Sequence, residues 1–229
     1  YTALIKYMGN NNYLESNTTV NFTVRKHNST TNVSIINITY GENATINITV
    51  TGLNGTDLSG NVTIILNGQI EVNTAVNSNG VGSVIVSGLD AGNYTSQVKY
   101  LGNVNYNGSE MLVNFTITKA TINPDDVKVN VTDSTYGNTT IEVTVPKDAT
   151  GNVTIAVDGE EFTVPVVNGT AIFDLGNNIT AGDHNITVVY SGDDNYNNIT
   201  KETNITVTKA DIDPDEFIVN VLDPAHGNT

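Results

Sequence analysis

The chain has 229 residues, with 9 basic and 24 acidic side chains for a net charge of −15, and it has no Cys and no Trp. That balance leaves no basic patch to neutralise phosphates, which excludes a nucleic-acid binder. The missing Cys excludes disulfides, thiolate catalysis and zinc–thiolate sites, and no apolar run approaches the length of a membrane span.

The first segment, 1–26, is read through its likeness to later segments. Its YMGNNNYLESNTTVNFTVRK (7–26) aligns with YLGNVNYNGSEMLVNFTITK (100–119) and YSGDDNYNNITKETNITVTK (190–209). Residues 27–119 come next. Ile46, Ile48 and Val50 alternate with Asn47, Thr49 and Thr51, and Val62, Ile64 and Leu66 with Asn61 and Thr63. This period of 2 marks half-buried strands. In LDAGNYTSQVKY (89–100), Tyr94, Ser96, Val98 and Tyr100 share one side, and a Gly leading into Tyr94 suggests a tyrosine corner.

Residues 120–209 repeat the plan. NVTIAVDG (152–159) matches NVTIILNG (61–68), and His184 replaces the corner Tyr94. Strands are expected near 127–135, 140–146, 152–158, 161–167, 170–175, 184–190 and 203–208. Asn-Gly and Asp-Gly at 67–68, 79–80, 158–159 and 168–169 supply turns. Residues 210–229 then restart the pattern, since ADIDPDEFIVNVLDPAHGNT matches ATINPDDVKVNVTDSTYGNT (120–139). The fold class is therefore all-β: tandem immunoglobulin-like β-sandwich repeats of about seven strands each. The organisation expected is the last strands of a preceding repeat (1–26), one repeat at 27–119, another at 120–209, and the first strand of a following repeat (210–229). The two ends do not complete one another, so an excerpt from a longer array is expected.

Asn is the outlying residue, with 35 copies, and 20 of them stand in Asn-x-Ser/Thr with x not Pro. Random placement among 44 Ser or Thr gives about seven (35 × 44/229). This tripeptide is the N-glycosylation acceptor. The candidate sites are Asn17, Asn21, Asn28, Asn32, Asn37, Asn43, Asn47, Asn54, Asn61, Asn93, Asn107, Asn114, Asn130, Asn138, Asn152, Asn168, Asn178, Asn185, Asn198 and Asn204. In a strand, Asn and Thr share a face, so the sequon points outward around an inward apolar residue. A purely structural origin, Asn and Thr as the polar side of a β-rich chain, is the competing explanation.

Little else points to chemistry. His27, His184 and His226 lie at no metal-ligand spacing, and the last two stand where other repeats have Tyr. No catalytic residue, metal or cofactor is expected. The repeated Tyr read as core and corner packing, with Tyr106 and Tyr196, in the turn before the last strand, as the exceptions most open to stacking on a sugar. The acidic junctions Asn123–Asp126 and Asp213–Glu216 could hold Ca²⁺, or could be plain solvated linkers. Lys26, Lys119 and Lys209 end the last strands with the parity of inward residues, which admits either an internal isopeptide or a Lys that snorkels.

The assembled motif is Tyr-Gly near the second strand, Gly-Asn-Val-Thr-Ile in the third, Ala-Gly-(Asn/Asp)-(Tyr/His), then Tyr-x-Gly-x-x-x-Tyr. It resembles the immunoglobulin-like repeats of bacterial and archaeal surface proteins. The Asn- and Thr-rich character with Thr-Lys-Ala junctions is similar to adhesin-like proteins of methanogenic archaea such as Methanobrevibacter. The resemblance implies a long extracellular protein at the cell surface or cell wall, with this segment as a non-catalytic stalk. The partners it implies are neighbouring repeats of the same chain. A filament of identical chains, or a repeat that binds surface glycans of another cell, are the alternatives.

Overall fold

The computed structural model describes residues 1–216 and 218. Its chain divides into two compact units, Tyr1–Thr118 and Lys119–Thr229. The expected strand at 210–229, and His226 within it, lie largely outside the described residues.

In the first unit, β1 (Thr2–Tyr7) and β2 (Ser16–Asn21) form a two-stranded antiparallel hairpin. The sandwich follows. One sheet orders β3 (Thr30–Ile35), β5 (Ala44–Thr51) and β8 (Val81–Val86) as β3-β5-β8. The other orders β4 (Ile38–Thr39), β10 (Ser109–Thr118), β9 (Gly92–Tyr100), β6 (Gly60–Leu66) and β7 (Ile70–Val76) as β4-β10-β9-β6-β7. Alternation does the sorting. Ala44, Ile46, Ile48 and Val50 are buried against Val62, Ile64, Leu66, Val98 and Tyr100, while Asn47 and Thr49 face solvent.

The second unit has the seven expected strands. They are β11 (Lys128–Asp133), β12 (Thr139–Thr144), β13 (Asn152–Val157), β14 (Glu160–Pro165), β15 (Thr170–Gly176), β16 (Gly182–Tyr190) and β17 (Ile199–Val207). Their sheets are β11-β12-β15 and β14-β13-β16-β17. The fourth strand stays with the third because Asp158-Gly159 joins them in two residues, both at positive φ (51° and 87°). This is the type I′ geometry that matches strand twist. The last strand starts four residues earlier than alternation alone suggests. Its β17 pairing with β16 runs from Ile199, and half-buried Ile199 packs on the core.

Each unit also fastens its own entry. The N–H of His27 donates to the Asn105 carbonyl, and the N–H of Asn107 donates to the His27 carbonyl. Ala120 makes the same two bonds with Asn195 and Asn197. The acidic junction is a 3₁₀ turn, Pro124–Asp126, capped by Asn123, whose Oδ1 accepts from the Asp125 N–H at 3.0 Å.

Candidate functional site

All 20 sequon Asn are exposed. Strand sequons place them outward around a buried neighbour, as at Asn47 beside Ile48, Asn61 beside Val62, Asn152 beside Val153 and Asn204 beside Ile205. Others occupy turns, and Asn168 takes positive φ (51°) ahead of Gly169.

Hydrogen bonding distinguishes many of these Asn from the rest. Asn21, Asn28, Asn37, Asn93 and Asn114 engage neighbours through Oδ1 as acceptor. The nitrogen that would carry a sugar is therefore not used to hold the fold at those five positions. Outside the sequons, Asn67, Asn73, Asn103 and Asn197 donate through Nδ2. Asn107 departs from the pattern, because its Nδ2 donates to Asn28.

Two sequons interlock in the first unit. Asn93-Tyr94-Thr95 on β9 pairs with Asn114-Phe115-Thr116 on β10, in a register that sets Thr95 opposite Asn114 and Asn93 opposite Thr116. The Thr95 hydroxyl donates to Asn114 Oδ1 at 3.0 Å, and the Thr116 hydroxyl donates to Asn93 Oδ1 at 2.8 Å. Between them, Tyr94 and Phe115 stack on the inner face with ring centroids 5.2 Å apart. This cross-strand pairing gives Asn and Thr a structural role that does not depend on any sugar. It also tolerates one, because N-glycosylation keeps the carboxamide C=O.

The Tyr-x-Gly-x-x-x-Tyr segment forms one turn three times over. Oδ1 of Asn10 accepts the N–H groups of Asn12 and Tyr13, Asn103 those of Asn105 and Tyr106, and Asp193 those of Asn195 and Tyr196. The preceding Gly9, Gly102 and Gly192 all have φ between 74° and 79°. Asp193 makes a further pair of contacts, accepting from the Thr150 N–H at 2.6 Å and its hydroxyl at 3.1 Å. Burial acts to raise the Asp193 pKa, but the N–H groups of Thr150, Asn195 and Tyr196 outweigh it and hold the carboxyl below its ordinary value. The Tyr190 phenol is pushed well above its usual range, first by burial and then by the Asp193 carboxylate.

The corner expected at Tyr94 is present, with its hydroxyl donating to the Asp90 carbonyl at 3.0 Å. His184 keeps the same reach: Nε2 lies 2.8 Å from the Thr180 carbonyl, again four residues back, while Nδ1 lies 2.7 Å from Asp158 Oδ2. The replacement therefore preserves the corner.

Three expectations are corrected. Tyr106 is only 1 % exposed, with its hydroxyl accepting from the Leu53 N–H and meeting Thr56, so it offers no sugar platform. Tyr196 is half-buried on the core, with its hydroxyl 3.0 Å from Asp148. Lys26, Lys119 and Lys209 are exposed, not inward, and the Lys119 ammonium donates to the Asp193 carbonyl. Among the described residues no three His, Cys, Asp or Glu side chains group as a metal site.

Two mainly antiparallel sheets packed face to face, with only the short β4 added in parallel to β10, a corner on β9 and β16, and no disulfide define an immunoglobulin-like sandwich module. The chain belongs to the bacterial Ig-like domain (group 3) family, whose model matches residues 30–118 and 127–208. Among solved structures it is similar to invasin, a bacterial integrin-binding protein. That match has 17% identity and a TM-score of 0.56, over 79% of this chain and 39% of that one. It is also similar to a two-domain fibronectin type III segment of chicken tenascin, at 12% identity and TM-score 0.47, over 77% of this chain and 98% of that one. The chain thus spans about two fifths of the invasin structure. No curated protein is significantly similar to it in sequence.

Proposed function

We propose that this chain is a non-catalytic stretch of stalk in an extracellular protein of the cell surface or cell wall, and that its sequons carry N-linked sugars. The observation that carries the reading is that all 20 sequon Asn are exposed, 18 of them on two sandwiches built to one repeated plan. Family membership and the fold shared with invasin support a surface location. In the modification, Nδ2 of the Asn attacks the anomeric carbon of a glycosyl phosphate donor. An N–C bond forms, the C–O bond to phosphate breaks, the phosphate leaves as an anion, and Nδ2 gives up one proton to a base of the transferase. Sugars on the outward faces would shield the sheets from proteolysis and from unwanted pairing.

Repetition supports the stalk. Tyr1, Ile5, Tyr7, Phe22 and Val24 of the first hairpin are exposed, yet they match Tyr94, Val98, Tyr100, Phe115 and Ile117, most of which are buried. The first hairpin thus carries the pattern of a repeat's last strands, which is what tandem repetition of one module would give. The archaeal resemblance of the Thr-Lys-Ala junctions suggests the kind of host. Glycopeptide mass spectrometry on protein from that host tests the reading. Sugars should occupy most of the 20 sequons and be absent from Asn67, Asn73, Asn103 and Asn123. Bare sequons throughout would leave Asn and Thr as the polar side of a sandwich and nothing more.

A further inference from the structure

We propose that Asn185 and Asn204 are mutually exclusive acceptors, so that any one copy of the second unit carries a sugar on one of them and never on both. This rests on the glycosylation reading and adds a rule to it. In the β16–β17 ladder Asn185 stands directly opposite Asn204. Among the described strand pairings, no other sets two sequon Asn face to face. Both are exposed on the outward face, with Ile186 and Ile205 buried beneath.

Opposed residues on one face of an antiparallel pair have Cβ atoms about 4.5–5.5 Å apart. That spacing is no wider than one pyranose ring. A sugar on either Nδ2 fills the space that the second sugar's first ring needs. It also covers the neighbouring carboxamide against a transferase that must bring its donor to Nδ2. The strands cannot slip to relieve the crowding, because a one-residue shift would turn Ile186 and Val188 out of the core. The Thr206 hydroxyl, donating to Asp183 Oδ1 at 2.7 Å, ties the same register.

The first unit supplies an internal control. Its sixth-strand sequon lies two residues earlier in the repeat, so Thr95 holds the place of Asn185 and bonds Asn114. Asn93 and Asn114 are then diagonal neighbours, about 7–8 Å apart, and each faces a Thr. Both can be filled together.

The test uses the glycoprotein from its native host and Asn→Gln variants made there, with occupancy read site by site on separated glycopeptides. The summed occupancy of Asn185 and Asn204 is expected not to exceed one. Removing the more occupied of the two, by N185Q or N204Q, should raise the other at least twofold, while N93Q leaves Asn114 unchanged. A sum above one, or a partner unmoved by the substitution, would overturn the proposal. Absence of sugar at every sequon is a different result, and it would remove the glycosylation reading itself.

Discussion

Asp193 shows how much one atom can change within a repeated turn. Asn103, its counterpart, makes the same two backbone contacts through Oδ1 but donates through Nδ2 to the carbonyls of Asp57 and Ser59. In the second unit the partner is a donor, the Thr150 N–H, so the position needs a carboxylate. Asp193→Asn should therefore destabilise the second unit at neutral pH by about 1–3 kcal/mol, since two donors would then face each other. The Asp193 pKa is lowered by folding. Its contribution is thus full above the unfolded value of about 3.9 and is lost as pH falls through the folded one. Denaturant titrations of both proteins should diverge at pH 7 and converge below pH ~4; an unchanged gap in acid would show that the charge is not responsible. Ser96 makes the opposite case. Its hydroxyl is fully buried on the core side of β9 with no hydrogen-bond partner, where the second unit has Ile186. Ser96→Ala should be neutral or stabilising by up to about 1 kcal/mol, and a loss beyond that would mean an unseen partner. Neither behaviour is legible in the sequence, because it depends on which atom of a distant loop lies opposite.

At the scale of the element, alternation locates the strands, though not the start of β17, and the physical reason is visible along β5 and β13. Every second residue is buried, and the residues between carry the sequons. Strand register is a different matter. The reciprocal Asn–Thr bonds of β9 and β10 and the Asn185–Asn204 opposition both follow from pairings that one sequence does not display. The turn aromatics were misjudged for a related cause: Tyr106 lies outside any alternating run, and the 52–59 loop that covers it is remote in sequence. The turn glycines are firmer ground. Gly192 has φ +74°, and a Cβ there would lie 2.8 Å from the Asn198 nitrogen and the Tyr196 carbonyl. Gly192→Ala should cost about 1–3 kcal/mol, measured as a drop in the unfolding midpoint of the second unit. Tyr190, 1 % exposed at the end of β16, fills the core beside it. Its replacement by Ala should cost about 3–5 kcal/mol; a loss below 1 kcal/mol would contradict the burial of that ring.

For the whole molecule, each unit holds its own core, and each fixes its entry strand to its own turn at His27 or Ala120. Such a module does not need its neighbour to fold, which is what a stalk of many repeats requires if folding is to proceed domain by domain. Independence of the units is the central claim. Its most direct test is denaturant unfolding of residues 27–119 and 120–209 as separate proteins, compared with 27–209. Each piece should show a single cooperative transition, at a midpoint close to that of its counterpart in the pair. If 120–209 is unfolded alone while 27–209 is folded, the repeats are not independent modules and the account fails.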